Sequence, residues 1–224
     1  MAGDSCAGTP NAVPSNAHGA DAAERSNRPE PAGDPVGLFY TWWRRDPLPA
    51  LPHLPALTTE ATDDERLIAD LMRVEVAAVR ERIWQGQRPW LARMAGEPAG
   101  YGWVAEREAA IGELGLTFPL PPGNLYLWDF MTLPPWRGHG IYPALLQAIL
   151  KHERQAERFW IGHDLPNVAS GRGITKAGFQ VIGVVSRLSS GVLTFMPSGS
   201  GPRAEAAAAL LNLPLDGHLA QRAT

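Results

Sequence analysis

Leu125–His152 reads LYLWDFMTLPPWRGHGIYPALLQAILKH, and this stretch decides the fold. Leu125–Leu133 is almost free of charge, as expected of a strand at a sheet centre with both faces covered. Ile141, Leu145, Leu146, Ile149 and Leu150 form an apolar stripe at helical spacing. Proline is tolerated in a helix only in its first turn, so Pro143 places the helix start near Gly140–Tyr142. Between strand and helix lies Arg137-Gly138-His139-Gly140. Glycines there let backbone N–H groups come close to a ligand, and a helix N-terminus adds unpaired donors and partial positive charge. Such a turn suits a phosphate, although an ordinary strand–helix connection has the same composition. The loop lacks the Gly-Lys-Ser/Thr of a nucleotide-hydrolysing P-loop. It also lacks the last glycine of G-x-G-x-x-G.

Working outward, Asn167–Lys176 is expected to be a short helix or turn, stopped by Gly178, and Phe159–His163 a strand before it. Gln180–Leu188 and Val192–Met196 read as a closing hairpin. Upstream, Pro89–Met94 and Ala99–Glu106 alternate like strands, and Ile111–Leu120 reads as a third. Thr62-Asp63-Asp64-Glu65 has the pattern of a capping box. It precedes apolar positions from Leu67 to Ile83 at helical spacing, in one long helix or two abutting ones. The fold class expected is α/β with a mixed sheet: helices, an antiparallel meander, strand–helix–strand, a short helix and a hairpin.

The ends differ from this body. Residues 1–37 hold no Leu, Ile, Phe, Tyr or Trp, and their five carboxylates against two arginines account for the whole formal charge of −3. A segment this poor in apolar side chains is expected to be a leader without fixed structure. Residues 38–57 mix aromatics with prolines at 47, 49, 52 and 55, which forbid a helix and suggest an extended segment packing on the domain. The domain proper is expected over 58–197, with 198–224 a tail carrying a short helix at Ala204–Leu211. The neutral body lacks the basic surface that nucleic acid requires. The single cysteine, Cys6, excludes a disulfide framework. No apolar run reaches a membrane span and no secretory signal opens the chain, so a cytoplasmic location is expected.

Two motifs together resemble the GNAT acetyltransferase superfamily. Arg137-Gly138-His139-Gly140-Ile141-Tyr142 is similar to its [QR]-x-x-G-x-[GA], with Tyr142 at the final small position. Asn167-Val-Ala-Ser170-Gly-Arg-Gly-Ile174-Thr-Lys176-Ala-Gly178-Phe179 is similar to its N-x-x-[AS]-x-x-x-Y-x-K-x-G-F, in register. The resemblance covers roughly Leu57–Met196. It implies a GNAT-type fold in which two parallel strands splay, and acetyl-CoA as acyl donor. The pyrophosphate would meet the backbone of Arg137, Gly138, His139, Gly140, Ile141 and Tyr142. The pantetheine arm would run beside Met131, Thr132 and Leu133, and Asn167 and Ser170 would complete the donor site. Asn167 also suits an Asx turn after Pro166, and Ser170 a helix start.

The tyrosine that serves many members as general acid is Ile174 here, which has no proton to give. His163 and Asp129 are the catalytic candidates. His163 ends a strand beside the splay, and a histidine titrating near neutrality suits a general base; the plainer alternative is a bond to a loop carbonyl. Asp129 interrupts an apolar strand, so it has either a partner or a role. No metal is implied. The acceptor is expected to be a primary amine of a small molecule or a protein, met by Phe39, Tyr40, Trp42, Trp43 and Trp84 if these line a cleft. Two alternatives remain beside transfer: an acyl-CoA-binding or partner-binding module without turnover, and an interaction domain using the Trp-rich segment. A homodimer is compatible with either.

Overall fold

The computed structural model describes residues 33–215. Its centre is an eight-stranded sheet built from β1 (Asp34–Trp43), β2 (Leu57–Ala61), β3 (Gln87–Met94), β4 (Glu97–Ala105), β7 (Asn124–Thr132), β8 (Arg158–Asp164), β9 (Gln180–Arg187) and β10 (Leu193–Pro197). The order is β10-β9-β1-β8-β7-β4-β3-β2. Only β7 and β8 run parallel; every other neighbouring pair is antiparallel. The mixed sheet expected from the sequence is therefore present. One face carries α3 (Ile141–His152) and α4 (Val168–Ala177). The other carries α1 (Glu65–Met72), α2 (Val76–Trp84), α5 (Pro202–Leu211) and a separate hairpin, β5 (Glu108–Ile111) with β6 (Leu116–Pro119).

Most local expectations hold. Pro143 sits in the first turn of α3, and Gly178 ends α4 in the left-handed region. The helical stretch after Thr62 is two helices, separated where Arg73 takes φ 58°. Its cap is Asp64, whose side chain accepts from the Leu67 N–H. The expected third meander strand, Ile111–Leu120, is instead part of the β5–β6 hairpin. A 3₁₀ turn at Gly112–Leu114 and left-handed Gly115 fold the chain back there.

The organisation of the ends needs correction. The leader boundary at residue 37 and the domain start at 58 do not stand. β1 begins at Asp34 and lies inside the sheet, paired with β8 on one edge and β9 on the other. From Leu38 its side chains alternate, with Leu38, Tyr40 and Trp42 facing α3 and α4 and Phe39 the opposite core; Val36, at a register shift in the pairing with β9, also faces that opposite core. Proline density after residue 46 hid this period of two. Residues 1–32 of the expected leader lie outside the described residues. The expected C-terminal tail likewise joins the core, because Ala207, Leu210 and Leu211 of α5 pack beside Phe39, Val185 and Phe195. Residues 216–224 lie outside the described residues.

Arg44 ties β1 to the helical layer. Its guanidinium donates to the carbonyls of Leu150 (2.8 Å), Glu153 and Ala156, satisfying acceptors at and just beyond the C-terminal end of α3. It also lies over the rings of Trp42 and Phe159, 5.4 and 5.3 Å from their centroids. Arg203 of α5 closes the other side through Asp46, at 2.9 Å. Arg44→Ala is expected to lower the unfolding free energy by about 3 kcal/mol, since several carbonyls lose a charged donor together. Urea denaturation measures this; Arg44→Lys should recover less than half, because an ammonium cannot fork between carbonyls.

Tyr126, wholly buried between Phe39 and Phe118, has its hydroxyl pushed well above the ordinary tyrosine range by loss of solvent. The unfolded chain ionises this group near pH 10 and the folded chain does not, so the unfolded state binds fewer protons above that pH. Stability is therefore expected to be insensitive to this group below about pH 10 and to fall by about 1.4 kcal/mol per further pH unit. Alkaline denaturation of Tyr126→Phe, compared with the parent, should show that slope reduced.

Candidate active site

The parallel pair that centres the fold is short. Asn124–Leu127 pairs with Arg158–Ile161, and beyond Leu127 the two strands part. Asn124 pins the closed end, its buried Oδ1 accepting from Trp160 Nε1 at 2.8 Å. The parting has a local cause. β4 pairs Tyr101 with Met131 and Trp103 with Trp128, so Gly102 alone faces both Asp129 and Phe130. This is a β-bulge, and Asp129 absorbs it with φ 51°, a conformation that aspartate tolerates better than most residues. Gly102 is required because a Cβ there would overlap the Phe130 ring. β8 meanwhile stays paired with β1 as far as Gly37↔Asp164. One strand turns away while the other is held, and a cleft of about 440 Å³ opens between them.

Its wall on the α3–α4 face includes Phe130, Tyr142, His163, Asn167 and Ser170. On the other face it is bounded by Arg82 of α2, Trp128, Asp129 and the β5–β6 turn from Ile111 to Leu114. The cleft therefore reaches both sides of the sheet.

Beside it lies the glycine loop. Gly138 and Gly140 take φ 82° and 80°, with open space where each Cβ would be, so backbone conformation selects glycine there. Gly140 is the N-cap of α3 and offers no side-chain cap. Arg137 leans back, donating from Nε to the Thr132 carbonyl at 3.2 Å. His139 Nδ1 donates to the Arg137 carbonyl at 3.0 Å, its ring edge-on to Trp136. Met131 and Thr132 end β7, paired with β4 on one edge, and Leu133 follows with its N–H on the Ala99 carbonyl. Ile141 is buried, leaving only its backbone near the loop surface. Residues 131–133 and 137–141 thus flank the cleft, whereas Tyr142, Asn167, Ser170, His163 and Asp129 line it.

The two aromatic hydroxyls on the α4 side depend on glycines that the sequence motifs did not single out. Tyr142 lies against Phe130, ring centroids 5.4 Å apart, and over Gly173, where a Cβ would overlap its ring. Its hydroxyl is 3.3 Å from Ser170 Oγ, and burial pushes it well above the ordinary tyrosine range. Asn167 caps α4, its Oδ1 accepting from the Ser170 N–H at 3.1 Å, which is the Asx geometry expected after Pro166. Ile174 is fully buried in the core.

His163 is held from two sides. Nδ1 is 2.7 Å from the Asp164 carbonyl, which can only accept, so in the neutral ring Nδ1 carries the proton. Nε2 then accepts from the Tyr40 hydroxyl at 3.0 Å. A methyl at Gly171 would stand 2.6 Å from Nε2, so this glycine lets α4 close over the pair. Asp129 meets Arg82 Nη1 at 2.6 Å, both side chains about a third exposed. The guanidinium also lies 4.5 Å from the Trp128 ring centroid. Both plainer alternatives, a carbonyl for the histidine and a partner for the aspartate, are therefore present.

The aromatic acceptor cleft does not form as expected. Tyr40 and Trp42 are buried in the sheet, Trp43 lies beneath Arg158 and Arg203, and Trp84 is 80% exposed away from the cleft wall. Phe39 alone of that group lines it. Tyr40 and Arg82, which hold the two catalytic candidates, carry no signal in the sequence because their partners are 123 and 47 residues away.

A sheet whose two parallel strands splay beside a glycine loop at a helix N-terminus is the arrangement that the resemblance to the GNAT fold implies. The family model described as the acetyltransferase (GNAT) family matches residues 39–179, and the chain belongs to that family. No curated protein matches the chain. Among solved structures, a GCN5-related N-acetyltransferase from Sphaerobacter thermophilus is similar at TM-score 0.50 and 16% identity, over 73% of this chain and 54% of that one. An acetyltransferase of the GNAT family from Colwellia psychrerythraea is similar at TM-score 0.49 and 16% identity, over 68% and 55%. The chain spans little more than half the length of these two structures. Among the described residues, no helix is long and apolar enough to cross a membrane.

The tautomer of His163 is directly measurable. Nitrogen chemical shifts of the imidazole are expected to report Nδ1–H in the parent protein. In Gly171→Ala, where the new methyl presses on Nε2, that signature should be lost together with the Tyr40 contact. A parent protein protonated only at Nε2 would contradict the arrangement.

Proposed function

We propose that the protein is an acetyl-CoA-dependent N-acetyltransferase acting on a primary amine of a small molecule or a protein. The observation that carries this reading is the cleft between β7 and β8 with the Arg137–Tyr142 loop beside it. A long donor with an anionic end and an uncharged thioester arm suits such a site. Its pyrophosphate would lie on backbone N–H groups from Gly138 to Tyr142, with Arg137 adjacent. Its arm would follow Met131, Thr132 and Leu133, and Asn167 and Ser170 would border its reactive end. The neutral body of the chain is no obstacle, since the donors are peptide groups.

Because the cleft reaches both faces, the acceptor can approach from the side of Arg82, Trp128, Asp129 and the β5–β6 turn while the donor occupies the other. An amine must be deprotonated before it attacks a thioester. His163 is the proposed base. Its Nε2 lone pair points to Tyr40, so the amine has to displace that hydroxyl, which then turns away from the ring. Asp129 is the second catalytic candidate. Its carboxylate draws an ammonium group toward the opening and shares its charge with Arg82. The buried Ile174 favours a second reading, a domain that binds acyl-CoA without turnover, because that side chain supplies no proton.

Acetyl-CoA is expected to raise the melting temperature, since a ligand that binds only the folded state stabilises it by about 2.7 kcal/mol at a hundred times Kd. Gly140→Val should abolish the shift, because a β-branched residue does not adopt φ 80°. Thiol release over a panel of polyamines, amino acids, aminoglycosides and peptides then separates transfer from binding alone. His163→Ala should lower kcat by roughly 10²-fold or more if it is the base. Absence of any thermal shift at millimolar acetyl-CoA would overturn the proposal.

A further inference from the structure

We propose that Tyr142 donates the proton taken up by the sulfur that leaves the acyl donor. The inference rests on the acetyl-transfer reading above and adds to it a residue with a chemical role.

The chemistry states the need. The amine nitrogen forms a bond to the thioester carbon and the carbon–sulfur bond breaks. The electron pair leaves on sulfur, and a thiolate confined between β7 and β8 is costly unless a donor meets it. Few groups of the cleft wall can supply one. The His163 Nδ1 proton is turned to the Asp164 carbonyl, and Tyr40 is buried in the sheet and does not line the cleft. Arg82 is paired with Asp129 and does not give up a proton. Tyr126 is wholly buried with its hydroxyl against the Gly162 backbone. Ser170 bonds the Tyr142 hydroxyl, and an alkyl alcohol is a weaker acid than a phenol.

Tyr142 remains, and its surroundings fix it. Phe130 supports one side of the ring, and Gly173 leaves room for it against α4. The hydroxyl reaches the wall of the cleft next to Ser170, on the helix that also carries the Asn167 cap. Burial keeps the phenol protonated throughout the physiological range, so its proton is present when sulfur leaves. As sulfur leaves, the Tyr142 proton moves to it. The phenolate recovers a proton from water through the Ser170 hydroxyl, and the proton lost by the amine passes to His163 and solvent. The balance closes without any further reactant.

The test uses the full chain with acetyl-CoA and, as acceptor probe, hydroxylamine, a small nucleophile that makes little demand on an acceptor pocket. Tyr142→Phe keeps the ring between Phe130 and Gly173 and removes only the hydroxyl. It is expected to lower kcat by roughly 10²-fold or more while KM for acetyl-CoA stays within about threefold. An S-acetyl donor whose thiol is a stronger acid should restore most of the lost rate, because that sulfur leaves without help. A merely structural role for the hydroxyl would not produce such rescue. Tyr142→Phe with the parent kcat would overturn the proposal and leave acetyl transfer standing. So would a Tyr142→Ala protein that binds acetyl-CoA more tightly with kcat unchanged, which would make the ring a plug. A parent protein that binds acetyl-CoA but releases no thiol would overturn the proposal and the transfer reading together.

Discussion

The two-residue bulge of Asp129 and Phe130 opposite Gly102 is the constraint from which the rest of the molecule's geometry follows. Parallel strands of equal length would pair to their ends and leave no space in the middle of a sheet. Here one extra residue in β7 shifts its register on β4 and swings its far half away from β8. The swing costs a left-handed aspartate and a glycine on the neighbouring strand. In return the interior of an eight-stranded sheet opens on both faces. Phe130, turned by the same bulge, becomes the floor on which Tyr142 rests.

A bulge alone would let β8 follow β7. β1 prevents this. It lies between β8 and β9, binds β8 along its length from Gly37 to Trp43, and adds the buried Thr41 hydroxyl bonded to the Phe159 carbonyl at 2.9 Å. Arg44 then fastens the end of β1 to the end of α3, the helix whose start carries the glycine loop. The segment nearest the N-terminal residues is thus a structural member of the candidate site. It supplies Tyr40 to His163 on one face and Phe39 to the cleft wall on the other.

How much of this was legible in the sequence depends on the range of the interaction concerned. The strand–loop–helix of Leu125–His152 and the cap at Asn167 are written in local terms: apolar periodicity, a proline permitted only in a first turn, an Asx residue before a helix. They appear where the sequence puts them. β1 was obscured because prolines and charges on both sides masked a short alternation whose partners lie more than a hundred residues away. The β5–β6 hairpin was merged into one strand because its turn, Gly112–Gly115, looks like a weak strand interior when its two glycines are averaged with Ile111 and Leu116. Asp129 announced that it had a partner, but not that the partner was Arg82. No periodicity reports which helix face will meet which strand.

The departure at Tyr142 is best understood together with Gly173 and Ile174. A large residue in the first turn of α3 is incompatible with an ordinary side chain facing it on α4, and here the facing residue is glycine. The next residue, Ile174, points into the core and contributes packing alone. A phenol and a small residue therefore occupy the two helices in a complementary way: α3 brings the ring and α4 the space. Neither substitution is explicable by itself, since tyrosine alone would clash and glycine alone would weaken α4. Their pairing gives the cleft a fixed hydroxyl while the backbone of the glycine loop stays exposed at Gly138 and Gly140. The ring is packed by Phe130 on one side and by α4 on the other.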